Sequence, residues 1–358
     1  DCWYITNPEV LATYTGSEPK TTSKKGLQVE ELSEALELGT QHAVINWTMD
    51  SLLTTKSSSN RTAYKYRCKT YYFDNTELET YDNLVSSYNA AGARVTIILL
   101  LRNNASTATA SMRYNGPDTA LFSCFKTSTG KGCRTFEATM TFLAKRYGVK
   151  GRLVSGWILG NEVDSPGVWH YTGGKSLANC LKEYARAFRI CYNAVKSVNK
   201  NAKVYISLDY NWSLDADLSG NSYFSAKSTL DTFYKKINAQ GKIPFQIAYH
   251  AYPQGLVDPV FWDDSMAWDS TDSTLITMKN IQVLTNYVKK NFGKAYTVML
   301  SEQSFNSTSG EETQAAAYAY AYYICDSNSM IESFIYGRQI DNSLEFASNC
   351  YWGLSDVN

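Results

Sequence analysis

Short apolar runs alternate with longer amphipathic segments along most of the chain. The short runs are rich in β-branched residues and are bounded by Gly, Asn, Asp and Ser, which is typical of strands. The longer segments repeat their apolar residues at spacings of three and four, which predicts helices with one buried face. This alternation indicates successive βαβ units and therefore a parallel sheet.

The predicted strands divide the chain into units of similar length. Their ends are separated by roughly 35 to 60 residues, which suits one strand, one helix and their loops in an eight-fold barrel. We therefore predict an α/β fold, a (β/α)8 TIM barrel with long decorated loops at the C-terminal face of the strands. The predicted strands are residues 2–5, 42–47, 94–101, 153–160, 203–208, 245–250, 296–300 and 333–336.

The predicted helices lie between these strands, and the clearest one, at residues 177–199, carries an apolar stripe that must pack against a neighbour. A doubly wound open sheet is the competing architecture. It usually carries a glycine-rich phosphate-binding motif, and the sequence has neither G-x-G-x-x-G nor G-x-x-x-x-G-K-S/T. We expect residues 1–358 to form one catalytic domain. The other predicted helices are residues 28–38, 78–91, 136–147, 276–291 and 311–325.

The loops that follow strands are long, whereas those that follow helices are short. Residues 62–74 alternate like a small hairpin, and the loops after the fourth and sixth predicted strands carry Trp169, Trp262 and Trp268. In a barrel of this kind function lies at the carboxyl ends of the strands. These loops therefore predict a binding cleft, with a lid that has no binding role as the alternative.

Two apolar runs lead directly into a glutamate. Residues 157–164 read WILGNEVD and residues 298–305 read VMLSEQSF, which places Glu162 and Glu302 at the ends of two strands about three βα units apart. Because side chains alternate along a strand, Glu162 shares a face with Ile158 and Glu302 shares a face with Leu300. We expect both to point into the barrel mouth.

Paired carboxyl groups in a barrel mouth suit glycoside hydrolysis. This reaction needs a proton donor for the departing oxygen and a carboxylate for the positive charge that develops at the anomeric carbon. We predict that Glu162 donates the proton and that Glu302 is the nucleophile. For either glutamate taken alone, a helix cap or a salt-bridge partner is the commoner role.

With these residues the chain resembles the clan A glycoside hydrolases, which are retaining (β/α)8 enzymes. The resemblance rests on Asn161-Glu162, on Glu302 and on the His250-Ala251-Tyr252 segment, at the fourth, seventh and sixth strands. It implies that Asn161 hydrogen-bonds the 2-hydroxyl of the sugar. It also implies that Tyr252 or His250 orients Glu302.

Aromatic residues supply further candidate contacts to sugar. Many members of the clan have a tryptophan at the end of the eighth strand, where this chain reads FIYGRQIDN and offers Tyr336 or Arg338 instead. The ending CYWGLSDVN is similar to the stretch that leads into the last barrel helix, so that helix could be missing from the chain. Candidate stacking platforms, each with core packing as the alternative, are Trp47, Trp169, Trp212, Trp262 and Trp268.

Charge and hydropathy limit the partners. The 34 basic and 34 acidic residues cancel without long single-sign runs, which argues against nucleic acid and favours a neutral carbohydrate. The longest apolar stretch, residues 95–101, is far shorter than the roughly 20 residues of a membrane-spanning helix. We expect a monomer. It is expected to be secreted or on the cell surface, and a start at Asp1 fits either a removed signal peptide or a chosen boundary.

Other chemistries fit the sequence less well. It contains three histidines without H-E-x-x-H and no paired cysteine spacing, so we expect neither a metal nor a cofactor. Cys124 and Cys133 bracket a loop short enough for a disulfide, and a bridge and free thiols are equally compatible with it.

We therefore predict a retaining glycoside hydrolase that cleaves a β-linked polysaccharide or oligosaccharide by double displacement, as an endo-acting β-glycanase. Two alternatives stay open. One is a non-catalytic carbohydrate-binding barrel. The other is a transglycosylase of the same fold, which would use the same covalent intermediate but exclude water.

Overall fold

Eight parallel strands close into a barrel in which each strand pairs with the next in the sequence and β8 pairs with β1. The computed structural model describes residues 4–103, 107–216 and 223–355. The predicted (β/α)8 architecture is confirmed. The strands are β1 Lys25–Gln28, β2 His42–Thr48, β3 Arg94–Leu100, β4 Gly156–Leu159, β5 Lys203–Leu208, β6 Gln246–Tyr249, β7 Val298–Gln303 and β8 Ile331–Tyr336.

In the described residues, each of the first seven strands is followed by one main helix, and β2 also by the short helix Met49–Leu52. After β8 the described residues form a single 3₁₀ turn, Phe346–Ser348, and no α-helix. No helix in the described ranges is both long and apolar enough to cross a membrane. The helices are α1 Leu32–Glu37, α2 Asn75–Ala90, α3 Gly130–Tyr147, α4 Leu177–Lys196, α5 Ala226–Ala239, α6 Ile281–Asn291 and α7 Glu311–Ser327.

Smaller elements decorate the barrel. The predicted hairpin at residues 62–74 is confirmed as the antiparallel strands Arg61–Tyr66 and Lys69–Asp74. The remaining elements are a short helix Met49–Leu52, short strands Leu53–Thr54, Gly148–Val149 and Arg152–Leu153, and 3₁₀ turns Pro8–Leu11, Ala110–Met112, Phe261–Asp263 and Met278–Asn280.

The first strand is not where the pattern placed it. Cys2 and Trp3 lie outside the described residues, Tyr4 and Ile5 form no strand, and the barrel is closed by β1 instead. With the sequence KGLQ, β1 has one large apolar side chain and no β-branched residue, so its local signal is weak. Gln28, predicted to open a helix, is the last residue of β1.

Strand residues alternate between the barrel interior and the layer of helices. Val44, Ile98 and Ile158 pack inside the barrel, while Ala43 and Ile45 of β2 face the helices. Trp47 shares the outward face of β2. It is 1% exposed and stacks on Tyr81 of α2 with ring centroids 3.8 Å apart. The prediction of Trp47 as a sugar platform is therefore wrong, because its ring belongs to the core.

The structure adds one helix that was not predicted and decides one alternative that the sequence left open. Helix α5 was not predicted, although Leu230, Phe233 and Ile237 carry the three- and four-residue spacing of a buried stripe. The thiols of Cys124 and Cys133 are free, so the loop between them is not closed by a disulfide.

Replacing Trp47 by alanine is expected to lower the free energy of unfolding by about 3–5 kcal/mol, because a large buried ring is lost from the core. Trp268→Ala is the matched control. Its side chain is 43% exposed, so its effect should stay within about 0.5 kcal/mol. Urea unfolding of both variants measures the difference, and equal effects would contradict the core position of Trp47.

Candidate active site

A cavity of about 250 Å³ opens at the carboxyl ends of the strands. Its walls come from the ends of β4 to β8 and the loops that follow them, which is where ligand sites of such barrels lie. The lining residues are Glu162, Trp169, Asp209, Tyr210, Tyr223, Tyr252, Gly255, Leu256, Glu302, Gly337, Arg338, Glu345 and Trp352.

The backbone leaves β4 through two residues in the left-handed region. Gly160 has a φ of 78°, and a β-carbon there would lie 2.7 Å from the ring of His170, so only glycine fits. Glu162 has a φ of 38°, which is uncommon for a residue with a side chain. Its N–H donates to Ser207 Oγ at 3.0 Å, and its carbonyl accepts from the N–H of Ser165 at 2.7 Å. These bonds hold the turn that presents Glu162.

Both carboxyl oxygens of Glu162 have protein partners. Oε1 lies 2.9 Å from His250 Nδ1, and Oε2 accepts from the Tyr223 hydroxyl at 3.3 Å. His250 is fully buried, and its Nε2 has no hydrogen-bond partner among the described residues. Of the two residues expected to orient Glu302, His250 therefore contacts the other glutamate.

A β-bulge directs Glu302 into the cavity. Leu300 pairs with Phe334 and Gln303 pairs with Tyr336. An advance of three residues along β7 therefore corresponds to an advance of two residues along β8. Leu300 packs against the helices, and strict alternation would send Glu302 to the same side. The expectation that the face of Leu300 points into the mouth is thus wrong. Glu302 reaches the cavity because the bulge re-aims its side chain.

The Glu302 carboxylate accepts two hydrogen bonds. The Tyr252 hydroxyl donates to Oε1 at 2.8 Å and Gln28 Nε2 donates to Oε2 at 2.9 Å. Burial and the adjacent Glu302 charge raise the pKa of Tyr252 well above its usual value, so the hydroxyl keeps its proton. Gln28 was not predicted as a site residue, because β1 was not predicted and Gln28 was assigned to the start of a helix.

Two more carboxyl groups are buried beside Glu162. Both oxygens of Asp164 accept the N–H of Asp209 at 3.2 Å, and the Asp209 carboxyl accepts from Asn211 Nδ2. Burial is the largest cause of the raised pKa of Asp164, and the charges of Asp209 and Glu162 raise it further. Burial is also the largest cause of the raised pKa of Asp209, and the charge of Glu162 raises it further. Asp209 follows β5 on the face of interior Tyr205, so alternation would have identified it.

The segment after β8 forms one wall of the cavity. Arg338 Nε donates to Glu345 Oε2 at 3.0 Å, and a second bond joins Arg338 Nη2 to the same carboxylate. The ring of Trp352 lies 5.7 Å from that of Tyr252, and its Nε1 donates to Leu256 O at 3.2 Å. Trp352 was not predicted. It brings an indole to the cavity from a position 16 residues beyond the end of β8 (352 − 336).

Besides the two glutamates, His250 and Tyr252, three more predicted residues lie at or beside the cavity. Trp169 lines it and stacks on Phe122 with centroids 6.1 Å apart. Arg338 also lines it. Asn161 is buried next to Glu162 but is not among the lining residues.

The other predicted aromatic residues lie elsewhere. Trp212 is fully buried, with its Nε1 donating to Thr271 O at 3.0 Å. Tyr336 shares the helix-facing side of β8 with Phe334 and is also buried. Both predictions as sugar contacts are therefore wrong, because neither ring has a free face. Half-buried Trp262 and exposed Trp268 do not line the cavity.

The residues around Glu162 do not form a metal site. Across the three described ranges, no group of three or more His, Cys, Asp or Glu side chains is arranged to hold a metal ion. Asp164, Asp209 and His250 form hydrogen bonds within the protein.

Replacing Asp209 by asparagine is expected to raise the unfolding temperature at pH 7. A carboxyl group whose pKa is raised in the folded state destabilises that state once the pH rises above the pKa of the group in the unfolded chain, by about 1.4 kcal/mol per unit of pKa shift. The gain in unfolding temperature from Asp209→Asn should therefore vanish below about pH 4. Thermal unfolding at pH 3 and pH 7 measures this. Exposed Asp263→Asn should change neither value, and an Asp209→Asn gain that is the same at both pH values would contradict the prediction.

Solved structures with a similar fold include β-glucosidases. A hyperthermophilic β-glucosidase mutant, dodecameric in its crystal form, matches with a TM-score of 0.58 and 13% identity, covering 91% of this chain and 82% of its own. The β-glucosidase of Thermotoga maritima in complex with deoxynojirimycin matches with a TM-score of 0.54 and 13% identity, covering 91% and 80%. At this identity the similarity establishes the barrel fold.

Sequence comparison gives the family directly. No curated protein matches the chain. Residues 17–358 match the family described as a family of unknown function, DUF5722. Because this match spans nearly all of the sequence, the chain belongs to that family.

Proposed function

We propose that this protein is a retaining glycoside hydrolase that acts on β-linked polysaccharides or oligosaccharides. The observation that carries the proposal is the meeting of Glu162 and Glu302 at one cavity, each with its own set of hydrogen-bond partners. Two carboxyl groups in different environments can take different protonation states, which the two roles of this reaction require.

Glu302 is proposed as the nucleophile. Its carboxylate accepts hydrogen bonds from Tyr252 and Gln28, which fix its direction. It attacks the anomeric carbon as the bond to the leaving oxygen breaks, and a covalent glycosyl ester forms. The bulge in β7 that re-aims this side chain is the local feature of the fold on which the step depends.

Glu162 is proposed as the acid and then the base. It gives its proton to the leaving oxygen in the first step and takes a proton from the attacking water in the second. His250 at Oε1 and Tyr223 at Oε2 orient the carboxyl group, and the left-handed turn at Glu162 brings it to the cavity wall.

The remaining cavity residues are proposed to bind the sugar. Trp169 and Trp352 offer aromatic surface to the apolar face of a sugar ring, and Arg338 can donate to its hydroxyls. Asn161, by the resemblance to clan A, would bond the 2-hydroxyl beside the cleaved bond.

Endo action is proposed as well, by a monomer that is secreted or on the cell surface. A cavity of about 250 Å³ lies below the usual range of about 300–1,000 Å³ for ligand pockets. It would hold the sugar at the cleaved bond, while further units lie along the long loops.

A panel of plant and microbial β-glycans, incubated with wild type and with Glu302→Gln, tests the activity. Wild type is expected to release reducing sugar from at least one glycan. Glu302→Gln should lower that rate on the order of 10⁴-fold or more, because the nucleophile is lost. Exposed Glu311→Gln in α7 is the matched control and should keep the wild-type rate.

Equal product from wild type and Glu302→Gln would overturn the nucleophile assignment. Binding of a glycan without product from wild type would favour a non-catalytic carbohydrate-binding barrel. Product that forms only with added acceptor sugar would favour a transglycosylase. A 2-deoxy-2-fluoro glycoside of the responsive sugar should add one glycosyl mass to wild type and none to Glu302→Gln, which tests the covalent step.

The length of the released products tests endo action. Internal cleavage should lower the viscosity of a soluble β-glycan early, while few reducing ends have formed. Chromatography of the products should then show a range of oligosaccharides. Release of a single short sugar with little change in viscosity would contradict endo action and indicate cleavage from the chain end.

A further inference from the structure

The cavity wall after β8 contains a bidentate ion pair. Arg338 follows the end of β8 by two residues, and Glu345 lies seven residues further along the same segment. Arg338 Nε donates to Glu345 Oε2 at 3.0 Å, and Arg338 Nη2 donates to Oε1 of the same carboxylate. Both side chains are partly buried and both line the cavity. A bidentate contact of this kind fixes the two side chains against each other.

Arg338 is the only lysine or arginine among the described residues that line the cavity. His250 is the other nearby group that can carry a positive charge, but its ring contacts Glu162 Oε1 and is not part of the wall. A negatively charged sugar would therefore depend on Arg338 for its cation. The carboxyl groups of the wall are Glu162, Asp209, Glu302 and Glu345.

The guanidinium lies close to the proposed nucleophile. Burial lowers the pKa of Arg338, but its hydrogen bonds to Glu345 and the Glu345 charge raise it, as do the charges of Tyr252 and Glu302. An interaction with the Glu302 charge places Arg338 beside the sugar that Glu302 would attack. Arg338 Nη1 forms no hydrogen bond within the described ranges, so it remains a donor for a ligand.

We propose that the Arg338–Glu345 pair makes the cavity selective for a neutral sugar, and that Glu345 is the residue that excludes a sugar acid such as a β-linked hexuronic acid. This rests on the proposed function and deepens it, because it names the class of sugar at the cleaved bond. Arg338 offers N–H groups to hydroxyls, while Glu345 cancels the positive charge that would attract a sugar carboxylate.

The selectivity follows from the charges on the wall. A carboxylate that enters the cavity loses hydration, and this cost is recovered only if a cation replaces the water. With Glu345 in place, a second carboxylate on Arg338 would put two negative charges against one positive charge. A neutral hydroxymethyl group loses less hydration and can bond to the same pair. Repulsion of the wrong ligand is an established source of specificity, and Glu345 would supply it here.

Matched pairs of phenyl β-glycosides test the proposal: glucose with glucuronic acid, galactose with galacturonic acid, and mannose with mannuronic acid. Wild type is expected to have the higher kcat/KM for the neutral member at pH 7. Glu345→Gln keeps the size of the side chain and removes its charge, so it should raise the ratio of acidic to neutral kcat/KM by about 10-fold or more.

Two further variants show whether this gain depends on Arg338. In the double variant Arg338→Gln/Glu345→Gln, the two side chains again sum to zero charge, so the ratio should return close to the wild-type value. Exposed Glu311→Gln in α7 removes a carboxylate far from the pair in the sequence and should keep the wild-type ratio. The hydrogen bonds of the Glu345 carboxylate in the described structure are both to Arg338, so its replacement breaks no others.

Binding can be followed without turnover. In ¹⁵N-labelled protein the Arg338 Nε–H signal is identified by its loss in Arg338→Gln. Methyl β-glycosides of the same sugars are then titrated into wild type and Glu345→Gln. In wild type the acidic member should need a concentration at least about 10-fold higher than the neutral member to shift this signal, and Glu345→Gln should remove that difference. If no glycoside is hydrolysed but binding follows this order, the proposed function fails and the selectivity of the pair stands.

Hydrolysis with the same ratio in wild type and Glu345→Gln would leave the proposed function standing and overturn the role of Glu345. A wild type that favours the acidic member would overturn it as well, and so would a gain that persists in the double variant. Absence of binding of every glycoside by both proteins would also contradict it. Thermal unfolding shows that each variant is folded, and Glu345→Ala serves as a second variant that removes the same charge.

Discussion

The alternation of side chains along the barrel strands is the constraint on which the rest of the structure depends. In a closed barrel every strand residue faces either the interior or the helices, and no edge relaxes this rule. Met299 and Ile335 therefore fill the interior, while Leu300 and Phe334 pack under the helices. A polar side chain on the wrong face would be buried among apolar residues without partners. The candidate site is built by following this rule at most strand ends and by breaking it at β7.

The departures from regular strand geometry are held by specific bonds. At β7 the bulge turns Glu302 inward, where Tyr252 and Gln28 satisfy its two oxygens. After β4 the left-handed turn at Glu162 is fixed by Ser207 and Ser165. A backbone conformation that is locally unfavourable persists only where the surroundings determine it, and such positions cluster at functional sites. The backbone conformation at each glutamate therefore helps to set the direction in which its carboxyl group points.

Sequence reasoning reached what local pattern encodes. The alternation of strands and helices predicted the barrel, and strand ends pointed to Glu162, His250 and Tyr252. Gln28 was missed because β1 has too weak a local signal to be predicted, whereas the same rule applied to β5 would have included Asp209. It could not have foreseen the bulge before Gln303, because the bulge is a property of pairing between two strands and has no local signature in VMLSEQ.

Aromatic composition was a poorer guide for a related reason. Trp47, Trp212 and Tyr336 were plausible platforms by type, but burial depends on which layer of the fold receives each ring. The residue type alone does not distinguish a tryptophan that packs in the core from one that lines a cavity. Trp47 and Tyr336 lie on strands, so counting from Val44 and Ile335 would have sent both to the helix layer. Trp212 lies beyond β5, where the rule no longer applies.

Trp352 shows how a cavity wall can be built without a strand-end residue. Gln339 accepts the N–H groups of Glu30 and Glu31 and donates to Glu31 O, which fastens the chain after β8 to the loop after β1. Asp341 then accepts the N–H of Gly353 at 2.7 Å, which closes the intervening residues into a loop. The indole that precedes Gly353 is thereby brought beside Tyr252. Because these contacts join residues that are distant in sequence, the position of Trp352 follows from tertiary hydrogen bonds and has no strand-end motif.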